Sequence, residues 1–290
     1  MRSLVYMSLA VLVSVCTFPC IASAQLPAPN QAGVSVGHLH YSVHDLETSR
    51  KFWIALGGQP SNLGEGERAA IKFPGFFVYL SQRDFSGNSE GSVVDHVGFR
   101  VMDAKATREK MKALGYQVKE STGAGGGSIY TPDGERLELF QGVTENVRFI
   151  ADDGRKNFET ERNNRELTVP FALHHIHFYL PESEVLKIQK WYVENFGAIP
   201  GTRFHYAAAD VPGVNLNFLG VAETHAPTKG RALDHSGFEI KGLQEFCRKL
   251  GAKGVKLDAP YKKNDSGRAA ALLTDPWGTN IELTEGLSGL

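Results

Sequence analysis

Cysteine is scarce in this sequence, which has three in 290 residues. Cys16 and Cys20 lie in an N-terminal segment with the features of a cleavable leader, so the expected mature chain keeps Cys247 alone. That excludes a disulfide within the mature chain, whose fold must then depend on a hydrophobic core. Cys247 stands beside Phe246 and Leu250 at helical spacing, which predicts a buried small apolar residue and not a nucleophile.

An apolar run long enough to span a membrane is missing as well. The run from Leu4 to Val15 is too short, since a spanning helix requires about 20 predominantly apolar residues. The run follows Arg2 and precedes Ala22-Ser23-Ala24, which is a small-x-small cleavage pattern. We therefore predict a signal peptide over residues 1–24, no membrane anchor after its cleavage, and a secreted or periplasmic protein.

The sequence has no excess of one charge sign. It contains 31 Lys and Arg residues against 32 Asp and Glu residues, and loss of Arg2 with the leader gives a formal charge of −2. This balance gives no reason to expect nucleic acid or an anionic membrane surface as a partner. A small molecule is the expected partner, and the sequence carries no indication of the oligomeric state.

What the sequence does contain is a unit that occurs four times. In each copy a histidine is followed by alternating apolar positions, a pattern typical of a β-strand with one buried face. The four segments are Gly37–Val43, Asp95–Val101, His174–Leu180 and Asp234–Ile240.

A helical pattern and further strands follow each histidine strand. A glycine just past each helix suits a left-handed cap. The predicted helices and closing glycines are Asp45–Leu56 with Gly57, Ala104–Leu114 with Gly115, Glu182–Phe196 with Gly197, and Leu243–Leu250 with Gly251. The predicted last strands are 76–80, 136–140, 214–218 and 280–283. Each unit is therefore a β-α-β-β-β module, and the predicted fold class is α+β.

A charged segment poor in apolar residues, 142–170, divides the modules into two pairs. Its composition suits a surface linker. We therefore predict two domains of paired modules, cupped mixed sheets over residues 34–141 and 171–287.

The strand histidines and two glutamates suggest metal binding. In the second half, His175, His235 and Glu282 are separated by 60 and 47 residues and can point into one cavity if modules three and four pair. The first half repeats the arrangement with His38, His96 and Glu138. Two imidazoles and one carboxylate leave coordination positions open for substrate or water, and they suit Fe²⁺, Mn²⁺ or Zn²⁺.

These motifs resemble the vicinal-oxygen-chelate superfamily, which includes glyoxalase, bleomycin-resistance and dioxygenase proteins. The resemblance covers nearly the whole mature chain. It is carried by the Asp-His-x-Gly-Phe strands at His96 and His235 and by the segments Thr131–Glu138 and Thr274–Glu282. It implies paired β-α-β-β-β modules around a divalent metal, but relatives catalyse several reactions, so the fold does not define the function.

The residues that distinguish the known reactions are replaced in this chain. Resemblance to glyoxalase I would require Glu or Gln in the last strand of the odd-numbered modules, where Tyr79 and Asn217 stand. Extradiol dioxygenases have a tyrosine where this chain has Leu272. Tyr79, Asn217 and His205 are the candidate catalytic residues, with His205 expected near the second cup.

Three functions remain open at this level. The favoured one is a metal-dependent enzyme that binds a small oxygenated substrate by Lewis-acid chelation, with lyase or isomerase chemistry like that of glyoxalase. The first alternative is a ring-cleaving extradiol dioxygenase that uses Fe²⁺. The second is a secreted protein that binds a ligand without catalysis, as bleomycin-resistance relatives do.

Overall fold

The computed structural model of the protein describes residues 26–63, 68–121, 126–141, 147–149 and 167–290. The predicted signal peptide, 1–24, lies outside the described residues, as does most of the predicted linker. Among the described residues, no helix combines the length and the apolar character that crossing a membrane requires.

Four β-α-β-β-β modules follow one another along the chain. The first consists of β1 (Val34–Val43), α1 (Leu46–Ala55), β2 (Gln59–Ser61), β3 (Arg68–Phe73) and β4 (Phe76–Gln82). The second consists of β5 (Val94–Val101), α2 (Ala104–Ala113), β6 (Val118–Lys119), β7 (Ser128–Tyr130) and β8 (Arg136–Gln141). The short strand β9 (Val147–Phe149) comes next, inside the predicted linker.

The third module consists of β10 (Phe171–Pro181), a 3₁₀ turn (Glu182–Glu184), α3 (Val185–Phe196), β11 (Ile199–Arg203), β12 (Tyr206–Val211) and β13 (Val214–Val221). The fourth consists of β14 (Leu233–Ile240), α4 (Leu243–Ala252), β15 (Ala259–Lys263), β16 (Ala269–Thr274) and β17 (Asn280–Glu285). The predicted α+β class and modular order are therefore confirmed.

Glycine closes three of the four helices as predicted. Gly57, Gly115 and Gly197 have φ values of 101°, 88° and 64°, which a side chain would disfavour. The fourth prediction is wrong, because Gly251 lies inside α4 and Gly254, with φ 84°, follows the helix end.

The sheets join modules in a different way from the predicted domains 34–141 and 171–287. One sheet has the order β15-β16-β17-β14-β1-β4-β3-β2 and combines modules one and four. The other has the order β6-β7-β8-β5-β10-β13-β12-β11-β9 and combines modules two and three. The predicted pairing within each half is thus wrong. All four modules show the same apolar alternation, so this pattern does not specify which inner strands pair.

The predicted linker is also not wholly irregular, since β9 pairs with β11 at the edge of the second sheet.

The two modules of each half, one with two and three with four, meet through apolar contacts of their helices. Trp53 of α1 contacts Phe99 of β5, with ring centroids 5.9 Å apart. Phe196 of α3 contacts Phe238 of β14, with centroids 5.0 Å apart. All four modules contribute to one buried apolar cluster. Cys247 is buried in α4, as its helical spacing predicts.

Candidate metal centres

Cross-strand rows bring polar side chains of modules one and four together. His38 and His40 lie two residues apart on β1, so their side chains lie on the same face of the sheet. In the register with β14, His40 faces His235 and His38 faces Gly237. Gly237 in turn faces Glu282 on β17. We call His38, His40, His235 and Glu282 the first cluster.

Gly237 separates His38 from Glu282 and leaves the space between them free. A Cβ atom at this position would lie 2.0 Å from Cε1 of His38, so glycine is required for this imidazole to fit. His38 Nε2 lies 2.9 Å from Glu282 Oε2, and His235 Nε2 lies 3.4 Å from the same oxygen. Two ring nitrogens and one carboxylate oxygen therefore converge on one point.

Modules two and three build the second cluster, His96, His175, His177 and Glu138, by the same rule. His175 on β10 faces Gly98 on β5, and Gly98 faces Glu138 on β8. A Cβ atom on Gly98 would lie 2.0 Å from Cε1 of His175. Glu138 Oε2 lies 3.1 Å from His96 Nε2 and 3.2 Å from His175 Nε2.

An aspartate orients one histidine in each cluster. The register of β1 with β14 shifts between His40 and Tyr41, which leaves Asp234 as the extra residue of a β-bulge. Asp234 Oδ1 lies 2.6 Å from His235 Nδ1, and Asp95 Oδ1 lies 2.7 Å from His96 Nδ1. An aspartate that accepts the Nδ1 proton leaves the Nε2 lone pair available to a metal.

The protonation equilibria keep both glutamates ionised. Burial raises the pKa of Glu282, but its contacts with His235 and His38 outweigh burial and hold this pKa well below its ordinary value. The histidines of the second cluster hold the pKa of Glu138 low against burial in the same way. Burial lowers the pKa of His38. Burial also acts to lower the pKa of His235, but Asp234 and Glu282 outweigh it and raise this pKa.

His40 adds a third imidazole to the first cluster. Its Nδ1 lies 3.1 Å from His235 Nε2, and its Nε2 lies 2.8 Å from Ser81 Oγ on β4. Burial, with a further contribution from His235, holds the pKa of His40 well below its ordinary value, so its imidazole is neutral at pH 7. Ser81 can accept the Nε2 proton, which directs the Nδ1 lone pair into the cluster.

A cavity of about 400 Å³ opens beside the first cluster. Its wall includes His40, Glu282 and Tyr79, whose ring centroid lies 4.7 Å from that of His38. Burial raises the pKa of Tyr79, so its phenol keeps its proton and can donate a hydrogen bond. Three cationic side chains, Arg68, Lys262 and Arg268, also line the cavity.

The second cluster has a polar wall contributed by module three. His177 Nε2, Asn217 Oδ1 and both amide atoms of Asn215 are buried without a hydrogen-bond partner in the described part of the chain. Arg203 and Asp210 form an ion pair there, with both residues 1% exposed. The wall that module three contributes to the second cluster thus contains unsatisfied polar atoms.

The structure brings together the six predicted ligands, but in exchanged partnerships. The predicted sets were His175 with His235 and Glu282, and His38 with His96 and Glu138. The structure exchanges the two odd-module histidines, because β1 pairs with β14 and β10 pairs with β5.

The predicted catalytic residues lie in three different places. Tyr79 lines the first cavity, whereas Asn217 faces His177 in the second sheet and so lies away from His235 and Glu282. His205 is exposed in the turn between β11 and β12 and contacts Tyr206, with ring centroids 4.2 Å apart. Among the described residues it belongs to neither cluster, because the turn carries it away from the inner strand face.

The sequence analysis assigned no individual role to Asp95, Asp234, Gly98 or Gly237. The signal that identifies them is the Asp-His-x-Gly-Phe motif, which occurs in both even-numbered modules. Its aspartate orients the histidine of its own strand, and its glycine makes room for a histidine of the partner module.

Residues 160–283 match the model of the Glyoxalase/Bleomycin resistance protein/Dioxygenase superfamily. Glyoxalase I from Zea mays has 16% sequence identity and a TM-score of 0.62, over 88% of this chain and 94% of that chain. A putative dioxygenase from Bacillus subtilis has 12% identity and a TM-score of 0.56, over 90% and 86% respectively. At these identities the two structures establish a common fold. No curated protein matches the sequence.

Proposed function

We propose that this chain, which belongs to the glyoxalase, bleomycin-resistance and dioxygenase superfamily, is a metal-dependent enzyme that binds a small oxygenated molecule through two oxygens. The observation that carries the proposal is the convergence of His38 Nε2 and His235 Nε2 on Glu282 Oε2 beside the 400 Å³ cavity. Ligands on one side and a cavity on the other are what a catalytic metal requires.

The residues of the first cluster fit a divalent transition metal. Imidazole nitrogens with a carboxylate oxygen suit Fe²⁺, Mn²⁺ and Zn²⁺, and Asp234 provides the orienting contact that ligand histidines typically have. His38, His235 and Glu282 would hold the metal, with His40 adjacent.

A metal held there supplies Lewis acidity, which polarises a carbonyl or enolate oxygen. The chain's own residues contribute orientation and proton transfer. Tyr79 keeps its phenolic proton and can donate it in a hydrogen bond to a substrate oxygen. The neutral His40 imidazole, positioned by Ser81, can accept a proton from the carbon beside that oxygen. These roles fit lyase or isomerase chemistry that passes through an enolate.

Proton exchange at carbon tests this function directly. In D₂O the metal-loaded protein should exchange the protons beside the carbonyl of a simple 2-oxo acid for deuterium. Proton NMR measures this exchange. His235→Ala should lose one equivalent of metal and the exchange, whereas His225→Ala, at a histidine outside both clusters, should keep both. A wild-type protein that binds no divalent metal and exchanges no protons would contradict the proposal.

A second candidate is oxygen chemistry at the same residues. Two histidines and one carboxylate are also the ligand set of non-haem Fe²⁺ oxygenases. Anaerobic loading with Fe²⁺ and oxygen-uptake assays on catechols separate the candidates. Uptake that requires His235 favours the dioxygenase, and its absence from an iron-filled site favours the isomerase or lyase.

We also propose that the protein is exported, on the basis of the predicted signal peptide. Mass spectrometry of the chain expressed with its leader should find a mature N-terminus at Gln25. An intact N-terminus in the cell interior would contradict export.

A further inference from the structure

The cavity beside the first cluster has a cationic rim. Arg68 begins β3, Lys262 lies on β15, and Arg268 directly precedes β16, so separate segments of modules one and four direct positive charge to one space. The formal net charge of the whole chain is −1, so this concentration is local and does not reflect a basic protein.

The rim cations have no acidic partner in the described ranges. None of the three lies within ion-pair distance of a described carboxylate, and Arg268 Nε donates instead to Ser266 Oγ at 3.1 Å. The carboxylates in the cavity wall have other roles. Glu285 Oε1 accepts the Gly242 N–H at 2.8 Å, and Glu282 belongs to the first cluster.

The rim and the metal ligands share one wall, which sets the shape of a suitable ligand. Arg268 and Tyr79 line the same cavity. Tyr79 in turn contacts the ring of His38. Glu282 of the first cluster, Tyr79 and Arg268 therefore line one cavity of a size typical for small ligands.

We propose that the substrate carries an anionic group, a carboxylate or a phosphate, at the end opposite its chelating oxygens, and that Arg268 and Arg68 bind this group. Guanidinium groups pair with carboxylate and phosphate through two parallel hydrogen bonds, which a neutral substrate end cannot accept as well. This inference rests on the proposed function for the chelating end of the substrate.

Two probes of equal length isolate the distal charge. 2-Oxopentanoate and 2-oxopentanedioate share the 2-oxo acid group and differ in a terminal methyl against a terminal carboxylate. Titration calorimetry on the Mn²⁺-loaded full chain should show that the dianion binds about tenfold more tightly, as expected for one charge-assisted hydrogen-bonded contact. A third probe, 2-oxo-4-phosphonobutanoate, distinguishes phosphate from carboxylate by which of the two anions binds more tightly.

Variants of the rim arginines test whether these residues cause the preference for the dianion. Arg268→Gln and Arg68→Gln should each reduce the advantage of the dianion and together abolish it, while binding of 2-oxopentanoate stays within about twofold. Lys263→Gln is the matched control, because Lys263 is exposed and adjacent to Lys262 but does not line the cavity. It should keep the full advantage.

The outcomes separate the rim from the metal centre. Equal binding of the two probes by the wild type, or an advantage that survives in Arg268→Gln/Arg68→Gln, overturns the anionic group while leaving chelation intact. Affinities of both probes that are the same with and without Mn²⁺, with the advantage of the dianion kept, support the rim and overturn chelation. Failure of every probe to bind overturns both.

Discussion

Single residues explain how two histidines in this fold acquire a defined tautomer. Asp234 accepts the Nδ1 proton of His235, and it also accepts the Gly230 N–H at 2.7 Å and a side-chain hydrogen bond from Asn280 at 3.0 Å. An aspartate fixed by several donors cannot turn away, so His235 keeps its Nε2 lone pair in the cluster. The same aspartate makes the bulge that aims the histidine.

We predict that Asp234→Asn weakens metal binding at the first cluster by about 10- to 100-fold, because the amide no longer stabilises the required tautomer. Competition with a chromophoric chelator measures this affinity. Asp265→Asn, at an exposed position in the β15–β16 turn, should leave the affinity unchanged. Equal affinities for Asp234→Asn and wild type would show that Asp234 does not orient the ligand.

A buried carboxyl outside the clusters gives the protein a pH dependence. Burial raises the pKa of Glu135 to about 7, against opposing hydrogen bonds from Ser89. Ser89 N donates to Glu135 Oε2 at 2.8 Å, and the Ser89 hydroxyl donates to the Asp95 carbonyl at 2.8 Å. A protonated Glu135 can therefore donate to the oxygen of Ser89, which suits a carboxyl that is neutral in the folded protein.

Because the folded pKa of Glu135 exceeds the unfolded value, the unfolded chain ionises first as the pH rises. Stability from this group is complete below about pH 4.5 and decreases up to about pH 7, by roughly 3 kcal/mol for the shift. Glu135→Gln keeps an amide donor for Ser89 and removes the titration. Urea unfolding at pH 5 and pH 8 should therefore show that the variant gains stability relative to wild type at pH 8. A difference that does not change with pH would contradict this assignment.

At the level of strands, the glycine of each Asp-His-x-Gly-Phe motif faces a histidine of the module with which it pairs. Gly237 faces His38 of module one, and Gly98 faces His175 of module three. The sequence alone does not show which glycine faces which histidine. Both even-numbered modules carry the same motif, and both odd-numbered modules carry a histidine at the same position.

We predict that alanine at each glycine disrupts one cluster only. Gly237→Ala should displace the His38 imidazole and weaken the first metal site, and Gly98→Ala should displace His175 and leave the first site intact. Each overpacked variant should lose about 1–3 kcal/mol of stability. Metal affinity and urea unfolding measure the two effects.

Gly251→Ala is the control for both variants, since it lies inside α4 with no neighbour within 4 Å of an added Cβ atom. It should keep full metal affinity and gain up to about 1 kcal/mol from helix propensity. Loss of the first metal site in Gly98→Ala would contradict the observed register.

For the whole molecule, the sequence predicted the modules, the α+β class and the six candidate ligands, because strand alternation and helix caps are local. It did not predict the partnership of modules one and four, which depends on contacts between segments about 200 residues apart. His40 and Ser81 show the same limit. They contact each other across β1 and β4, and no periodic pattern in the sequence predicts this contact.

The observed pairing also explains why the two modules of each predicted half adjoin without sharing a sheet. Helix α1 packs its Trp53 against β5 of module two, so the two modules of a half form apolar contacts, while each sheet joins one module from each half. A metal centre in this arrangement requires residues from both halves of the chain. Neither half can be expected to bind metal alone through the ligands of the first cluster.

Metal content of three variants tests this partnership most directly. His38→Ala, His235→Ala and the double variant are compared with wild type after saturation with Zn²⁺ and removal of the free ion. Because His38 and His235 bind one ion together, all three variants should contain the same amount of metal, one equivalent below wild type. Wild-type content in His38→Ala, or a double variant that loses more metal than either single variant, would contradict the shared site.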